Sequence, residues 1–488
     1  MQDGRAGGLC TISAMRLHHL IVVFGFALSI AAGLFAAPGF AAAPKPPALH
    51  SGAEAWIVVD GASGSVMGSS HADQVVNPGD LVQLMTLFTA LERISEAPER
   101  LDEPVTISAK DSLRPLSARR LYLVAGEKTP LKTLLNGVAV VAAEDAALAV
   151  ATHLEGSIEA FVNAMNATAQ TIGMTQSHFV SPIAAIGQKT TANDLAKLAV
   201  QFWRRHPKAF EWFSQREFSF TNHTQRNRNL MLWKDAGVNG MMESGNNTNL
   251  VSSWHRDPLN AEGSMPRDIF AVLLGGSNAD LASNDMLALL RYGRLEFETI
   301  RLFEANTTIK KIDILTGNRD QLAVGSMEPI WVTVRRQDIV SRGTGGFSTS
   351  FEYMAPAIAP VAAGDPVGTL HVYFRNKPVA DFTLVAMHDV GPGSFLSRFV
   401  DSVRLRMKPA SQPLEQTAGK TDEKAPAQHA DLPQQAPAIN EEAEKEKDEQ
   451  RASQSAGAAP QSTDPAADKD ASAQTNDGDN AALKDKQN

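Results

Sequence analysis

The apolar positions of this chain change period along its length, and each change marks a different kind of element. An apolar run, interrupted only by Ser29 and the glycines Gly25 and Gly33, covers Leu20 to Phe35. Past a Pro-rich lead (Pro44, Pro46, Pro47), Ala55-Trp56-Ile57-Val58-Val59-Asp60 and Val66-Met67 flank Gly61-Ala62-Ser63-Gly64, which predicts two strands around a turn. An Ala- and Leu-rich helical middle follows, with Leu135 to His153 as its clearest part. Strands are expected again at Asn249–Trp254 and Ile269–Leu274, then a helix from about Asn284 to Phe297. Strands at both ends of a helical middle suit a sheet packed between helix layers. Beyond Thr299 the pattern becomes period-two or β-rich at Ile309–Leu315, Pro329–Arg335, Thr369–Phe374 and Ala380–Met387, with Gly, Pro and Asn turns between. That predicts a small antiparallel β-domain ending near Val390. From Ser394 to Met407 the period returns to that of a helix: Phe395, Phe399, Val403 and Met407 fall at steps of four, with Arg398, Arg404 and Arg406 among them. Pro409 to Asn488 contains no aromatic residue and few branched apolar ones, so it cannot bury enough surface to offset chain entropy and is expected to be disordered.

The expected organisation is a signal peptide over 1–43, a Pro-rich lead over 44–51, an α/β domain over 52–298, a β-domain over 299–390, an amphipathic helix over 391–408 and an acidic tail over 409–488. Met15-Arg16 gives a basic start to the signal and Ala41-Ala42-Ala43 a small-residue end, while a permanent membrane anchor is the competing reading of the same run. The lone cysteine, Cys10, precedes the apolar core. Disulfides, thiolate zinc and a cysteine nucleophile are therefore not expected after export. Of the formal charge of −9, the tail from Pro409 holds −8, from 16 acidic and 8 basic residues. The remainder is near neutral, which argues against nucleic acid as a partner. His153, His178 and His223 match no metal-ligand spacing, and the aromatic pairs Phe202-Trp203 and Trp212-Phe213 read as packing residues.

The chemistry centres on Asn77-Pro78-Gly79-Asp80-Leu81-Val82-Gln83-Leu84-Met85-Thr86. This stretch resembles the Pro-Ala-Ser-x-x-Lys-Leu-Met-Thr motif of serine D-alanyl-D-alanine carboxypeptidases of the penicillin-binding class, with Asp80 at the nucleophile position and Gln83 at that of the base. The likeness continues in order through Leu134-Leu135-Asn136-Gly137, Asp145-Ala146-Ala147, Ile172-Gly173-Met174, Thr191-Ala192-Asn193-Asp194-Leu195 and Val238-Asn239-Gly240-Met241, from about Ala55 to about Val390. It implies an α/β/α sandwich of the β-lactamase type, a C-terminal β-domain, and a substrate in peptidoglycan.

On the same resemblance, Ala142-Ala143-Glu144 stands where the family has Ser-x-Asn. Met242-Glu243-Ser244, or Glu243-Ser244-Gly245 with one residue inserted, stands where it has Lys-Thr-Gly. No Ser-x-x-Lys occurs anywhere in the chain. Each of the three stations has therefore lost its reactive group, and the expectation is an exported, non-catalytic homologue whose partners are peptidoglycan or cell-envelope proteins, with no cofactor. It would sit in the periplasm, at the outer face of the inner membrane where Phe395, Phe399 and Val403 enter the lipid interface; docking of that helix on protein is the alternative. Three competitors stay open: a working carboxypeptidase with compensating changes, an activity built on carboxylates with Asp80, Glu144 and Glu243 as candidate metal ligands, and a tether that displays the tail. Against the metal, the three acids could instead point to solvent or pair with Arg119 and Arg120, and a lone Glu144 would commonly lie on an exposed helix face.

Overall fold

The computed structural model describes residues 45–112, 119–244, 248–256, 266–340 and 346–394. The signal segment, the helix from Phe395 and the acidic tail lie outside the described residues. Five strands form the central sheet: β1 (Ala55–Asp60), β2 (Val66–Ser70), β3 (Val238–Glu243), β4 (Leu250–Arg256) and β5 (Arg267–Leu274), in the spatial order β2-β1-β5-β4-β3. All these pairings are antiparallel.

Alternation on the sheet explains the layers. Along β1, Ile57 and Val59 belong to one apolar core, while Trp56 and Val58 belong to the other. A strand with both faces covered is apolar along most of its length, and β1 and β5 are buried throughout, with polar residues only at their ends, Asp60 in β1 and Arg267 and Asp268 in β5. On the first face pack α1 (Val82–Arg93), α2 (Leu131–Val141), α3 (Glu144–Glu155), α4 (Ile158–Thr171) and α5 (Ala192–Arg205). The second face is covered by α6 (Ala279–Glu296), through Met286, Leu289 and Leu290. The α/β/α sandwich is the architecture expected. Two boundaries differ. The helical stretch from Leu135 to His153 is two helices, because Ala142 adopts a left-handed conformation (φ 56°) and ends α2. The final helix starts at Ala279, earlier than expected, because the Asn278 side chain accepts hydrogen bonds from the Asp280 and Leu281 amides and caps it.

The β-domain follows without a linker: β6 (Phe297–Phe303) begins where α6 ends. Among the described residues, β6 pairs only with β9 (Ile330–Arg335). The larger sheet contains β7 (Thr307–Leu315), β8 (Gln321–Ser326), β10 (Phe347–Tyr353), β11 (Ala357–Ile358), β12 (Pro366–Phe374) and β13 (Lys377–Ala386), in the order β10-β12-β13-β8-β7-β11. β6, β8, β10 and β11 are strands that the period-two pattern did not single out. A buried polar cluster joins the two domains. Asp60 accepts from the Ser63 amide and hydroxyl, from Thr299 Oγ1 at 2.6 Å and from Arg267 Nε at 3.2 Å, and Ser63 Oγ lies 2.6 Å from Thr333 Oγ1.

Candidate functional site

The three stations converge at the N-terminal end of α1. Asn77 Oδ1 accepts from the Gly79 amide at 2.9 Å, and a short turn over Gly79–Leu81 feeds the helix. Every residue from Val82 to Leu91 is buried, so α1 is a core helix and its polar side chains must find partners inside the protein. Thr86 does so by donating to the Pro182 carbonyl at 2.7 Å. Gln83, fully buried, donates through Nε2 to the Ala142 carbonyl at 3.1 Å, a group the left-handed turn aims at α1. Its Oε1 has no partner among the described residues. First and second stations are thus in direct contact, through an amide that neither gains nor loses a proton near neutral pH.

Asp80 faces Arg119: Nη1 lies 2.7 Å from Oδ2, with only 5 % of the arginine side chain exposed. What holds Arg119 there is Asp145. That carboxylate, buried at the start of α3, accepts from the Leu121 amide at 2.9 and 3.0 Å, from Leu123 at 3.2 Å and from Ala146 at 2.9 Å. Burial still pushes its pKa up despite these bonds. The Glu144 amide adds a bond to the Arg119 carbonyl at 2.9 Å, so the segment over 119–123 is tied down across the mouth of the second station. Glu144 starts α3 as expected, but it is buried, not on an exposed face. The physical reason is Arg119, whose positive charge interacts with Asp80, Glu144 and Glu243.

The third station is the end of β3. Glu243, 2 % exposed, accepts from the Leu230 amide through Oε1 at 2.9 Å, while Oε2 has no partner among the described residues. Asn229 fixes the approach by donating to the Gly240 and Met241 carbonyls at 3.0 and 3.1 Å. Burial raises the Glu243 pKa to about 7, against the opposing pull of the Leu230 and Met231 amides, Lys234 and Arg119. The stations are also close on the other side: a Cβ placed on Gly79 would lie 3.6 Å from the Ser244 Cβ. Between them remains a cavity of about 10 Å³, lined by Arg119, Ala142, Asn227, Arg228, Asn229 and Glu243 among others. That is room for about one water.

The structure therefore brings Asp80, Gln83, Ala142, Glu144 and Glu243 to one place. It does not assemble them as a metal site. No group of three His, Cys, Asp or Glu side chains able to hold a metal occurs among the described residues, and the positive charge that the acids share is the Arg119 guanidinium. The role of Asp145 was not legible in the sequence beyond its place in the framework; a carboxylate at the first turn of a buried helix is the one local signal that it binds backbone amides. His153 and His206 bond to Glu103 and Glu92 elsewhere in the fold.

Comparison with known proteins agrees with this geometry. The family model described as D-alanyl-D-alanine carboxypeptidase matches residues 41–254, and that described as the C-terminal domain of penicillin-binding protein 5 matches residues 297–392. The D-alanyl-D-alanine carboxypeptidase DacD of Escherichia coli (strain K12) is 28% identical over 397 residues, covering 79% of this chain and 98% of that protein. A D-alanyl-D-alanine endopeptidase of Pseudomonas aeruginosa is 30% identical over 264 residues, 50% of this chain and 81% of its own length. Among solved structures, penicillin-binding protein 5 from Haemophilus influenzae superposes with a TM-score of 0.63 at 24% identity, over 71% of this chain and 99% of that one. Penicillin-binding protein 6B from Escherichia coli gives 0.55 at 24% identity, over 70% and 98%. With the two-part match, the shared fold and the three stations in one place, the chain belongs to the D-alanyl-D-alanine carboxypeptidase family, peptidase S11.

Proposed function

We propose that this member of the family works in peptidoglycan biology without acyl-serine catalysis, as an exported binding or scaffolding protein of the cell envelope. The observation that carries the reading is Gln83: it occupies the place of the base, is fully buried, and spends its one bonded donor on the Ala142 carbonyl. An amide cannot take a proton from a nucleophile near neutral pH. Asp80, in the nucleophile's place, is held at 2.7 Å by Arg119 and has no hydroxyl to offer. The third station supports the same reading, since Glu243 replaces a group that should attract the substrate's terminal carboxylate. Above pH 7 two carboxylates ~4 Å apart repel by about 4 kcal/mol at an effective dielectric near 20.

Export rests on the apolar run from Leu20 to Phe35 and the small residues after it, together with the envelope role of peptidoglycan enzymes. A surface contact through Phe395, Phe399 and Val403 is part of the proposal and is tested by binding to anionic vesicles. The decisive experiment is incubation of the purified protein with a β-lactam, followed by intact-mass analysis and assay of D-alanine release from a D-Ala-D-Ala peptide. No adduct and no release are expected, because loss of a nucleophile from such a constellation costs about 10⁶ in rate. Stoichiometric acylation would overturn the reading in favour of a working carboxypeptidase. Asp80→Ser alone is expected to leave the protein inactive, since Gln83 remains.

A further inference from the structure

The two edges of the larger β-domain sheet are built differently. One edge is β11, two residues long and bounded by Pro356 and Pro360, which donate no backbone hydrogen bond. Short, Pro-flanked edges are a common protection against pairing with another chain. The opposite edge is β10, Phe347–Tyr353, seven residues long and without Pro, Lys or Arg. Among the described residues it pairs only with β12, in an unbroken register from Phe347↔Phe374 to Tyr353↔Gly368. Its other side presents a row of backbone donors and acceptors, and Ser348, Thr349, Ser350 and Glu352 are exposed.

The sequence of this edge reads the same in both directions: Phe347-Ser348-Thr349-Ser350-Phe351. Antiparallel pairing of two identical strands about a two-fold axis at Thr349 sets Phe347 opposite Phe351 of the second copy, Ser348 opposite Ser350 and Thr349 opposite itself. Residues directly opposite lie on the same face, so phenylalanine meets phenylalanine and serine meets serine. The one charged residue, Glu352, falls opposite Gly346, and no like charges face each other over this stretch. The aromatic side chains are already placed for it: Phe347 packs on Phe374 at 4.6 Å between ring centres, and Phe351 stacks on Tyr353 at 5.4 Å.

We propose that Phe347–Tyr353 is a self-complementary edge through which two copies of this chain join their β-domain sheets about a two-fold axis at Thr349. A closed two-fold contact of this kind uses one patch on both copies and ends after a single pairing. Seven paired residues make a small interface, below the ~1,200 Å² of stable complexes, so the dimer is a weak one that forms at high local concentration.

The test is sedimentation velocity on the purified full chain from about 5 to 500 µM, the range in which so small an interface assembles. A concentration-dependent dimer is expected. Thr349→Lys sets two ammonium groups opposite each other across the axis and weakens the association by about fivefold. Thr349→Glu does the same, and mixing the two variants restores a mixed dimer. Gln321→Lys, the same gain of charge at an exposed position on a central strand, leaves the dimer unchanged. All these positions are exposed, and circular dichroism verifies that each variant is folded. A monomer throughout the range, or a dimer that ignores both Thr349 variants, overturns the proposal. Either outcome leaves the reading of the cleft untouched, since that is decided by β-lactam labelling.

Discussion

Among the described residues, two aspartate–arginine pairs are largely withdrawn from solvent. At the domain junction, Asp60 and Arg267 are 0 and 3 % exposed, and every direction around them is used. Asp60 accepts from Ser63, Thr299 and Arg267, while Arg267 also donates to the Phe297 carbonyl and to Met67 Sδ. In the cleft, Arg119 is 5 % and Asp80 13 % exposed, and their surroundings are not closed in the same way. Gln83 Oε1 and Glu243 Oε2 stand beside them without partners among the described residues, and Glu243 has its pKa raised to about 7. Buried ion pairs hold a fold together only when the remaining donors and acceptors are also satisfied. The junction meets that condition and reads as a structural joint. The cleft carries buried polar atoms that the fold leaves without partners among the described residues, Gln83 Oε1 and Glu243 Oε2.

The contrast is sharpest in substitutions. Asp60→Ala leaves the Arg267 guanidinium buried beside an empty acceptor position and is expected to cost about 3 to 5 kcal/mol in urea unfolding. A loss below 1 kcal/mol would remove the distinction between the two pairs. Glu243→Gln has the opposite sign. Its carboxyl has a folded pKa of about 7 against an ordinary value of 4.5. The folded state therefore holds a proton that the unfolded state has lost between those two values, and stability falls as pH rises through that window. The penalty is absent below pH 4.5 and complete above pH 7, at roughly 3 kcal/mol. Glu243→Gln should therefore gain up to that amount at pH 8 and nothing at pH 4, read from paired melting curves. A variant equally stable at both pH values relative to the parent would show that Glu243 ionises freely. The smallest effect is expected for Gln83→Leu, which removes the unpartnered Oε1 but leaves the Ala142 carbonyl without its donor. The two changes oppose each other, and the net shift stays within about 1 kcal/mol.

Much of the fold was legible from local periodicity. Leu81, Leu84, Met85 and Thr86 are buried at the start of α1, and with Pro78 they open the series of motifs, from about Ala55 to about Val390, that pointed to the family. The alternation in β7, β9, β12 and β13 was equally plain, although strand ends moved by a few residues. β10 escaped notice because its exposed Ser-Thr-Ser centre breaks the apolar alternation. The candidate site was legible as a set of positions, but the environment of each was not. Glu144 was expected on a solvated face and is buried; of the alternatives open for the three acids, the structure shows the pairing with Arg119, whose charge interacts with Asp80, Glu144 and Glu243.

By itself, then, the sequence determined which residue types stand at the three stations: an amide where a base belongs, a carboxylate in place of a hydroxyl, and no lysine at the third. It also determined that Asp80 and Gln83 are one helical turn apart, and that 347–351 is a palindrome. Only the tertiary structure decided that Arg119, 39 positions after Asp80, is the counter-ion, because Asp145 on a third segment pins the backbone that carries it. It likewise decided that Glu243 titrates near 7 and that the palindrome lies on an open edge, not inside a sheet. The physical reason is the same in each case. Periodicity and residue type are set by near neighbours along the chain, whereas charge state, pairing and exposure depend on which distant segments exclude water.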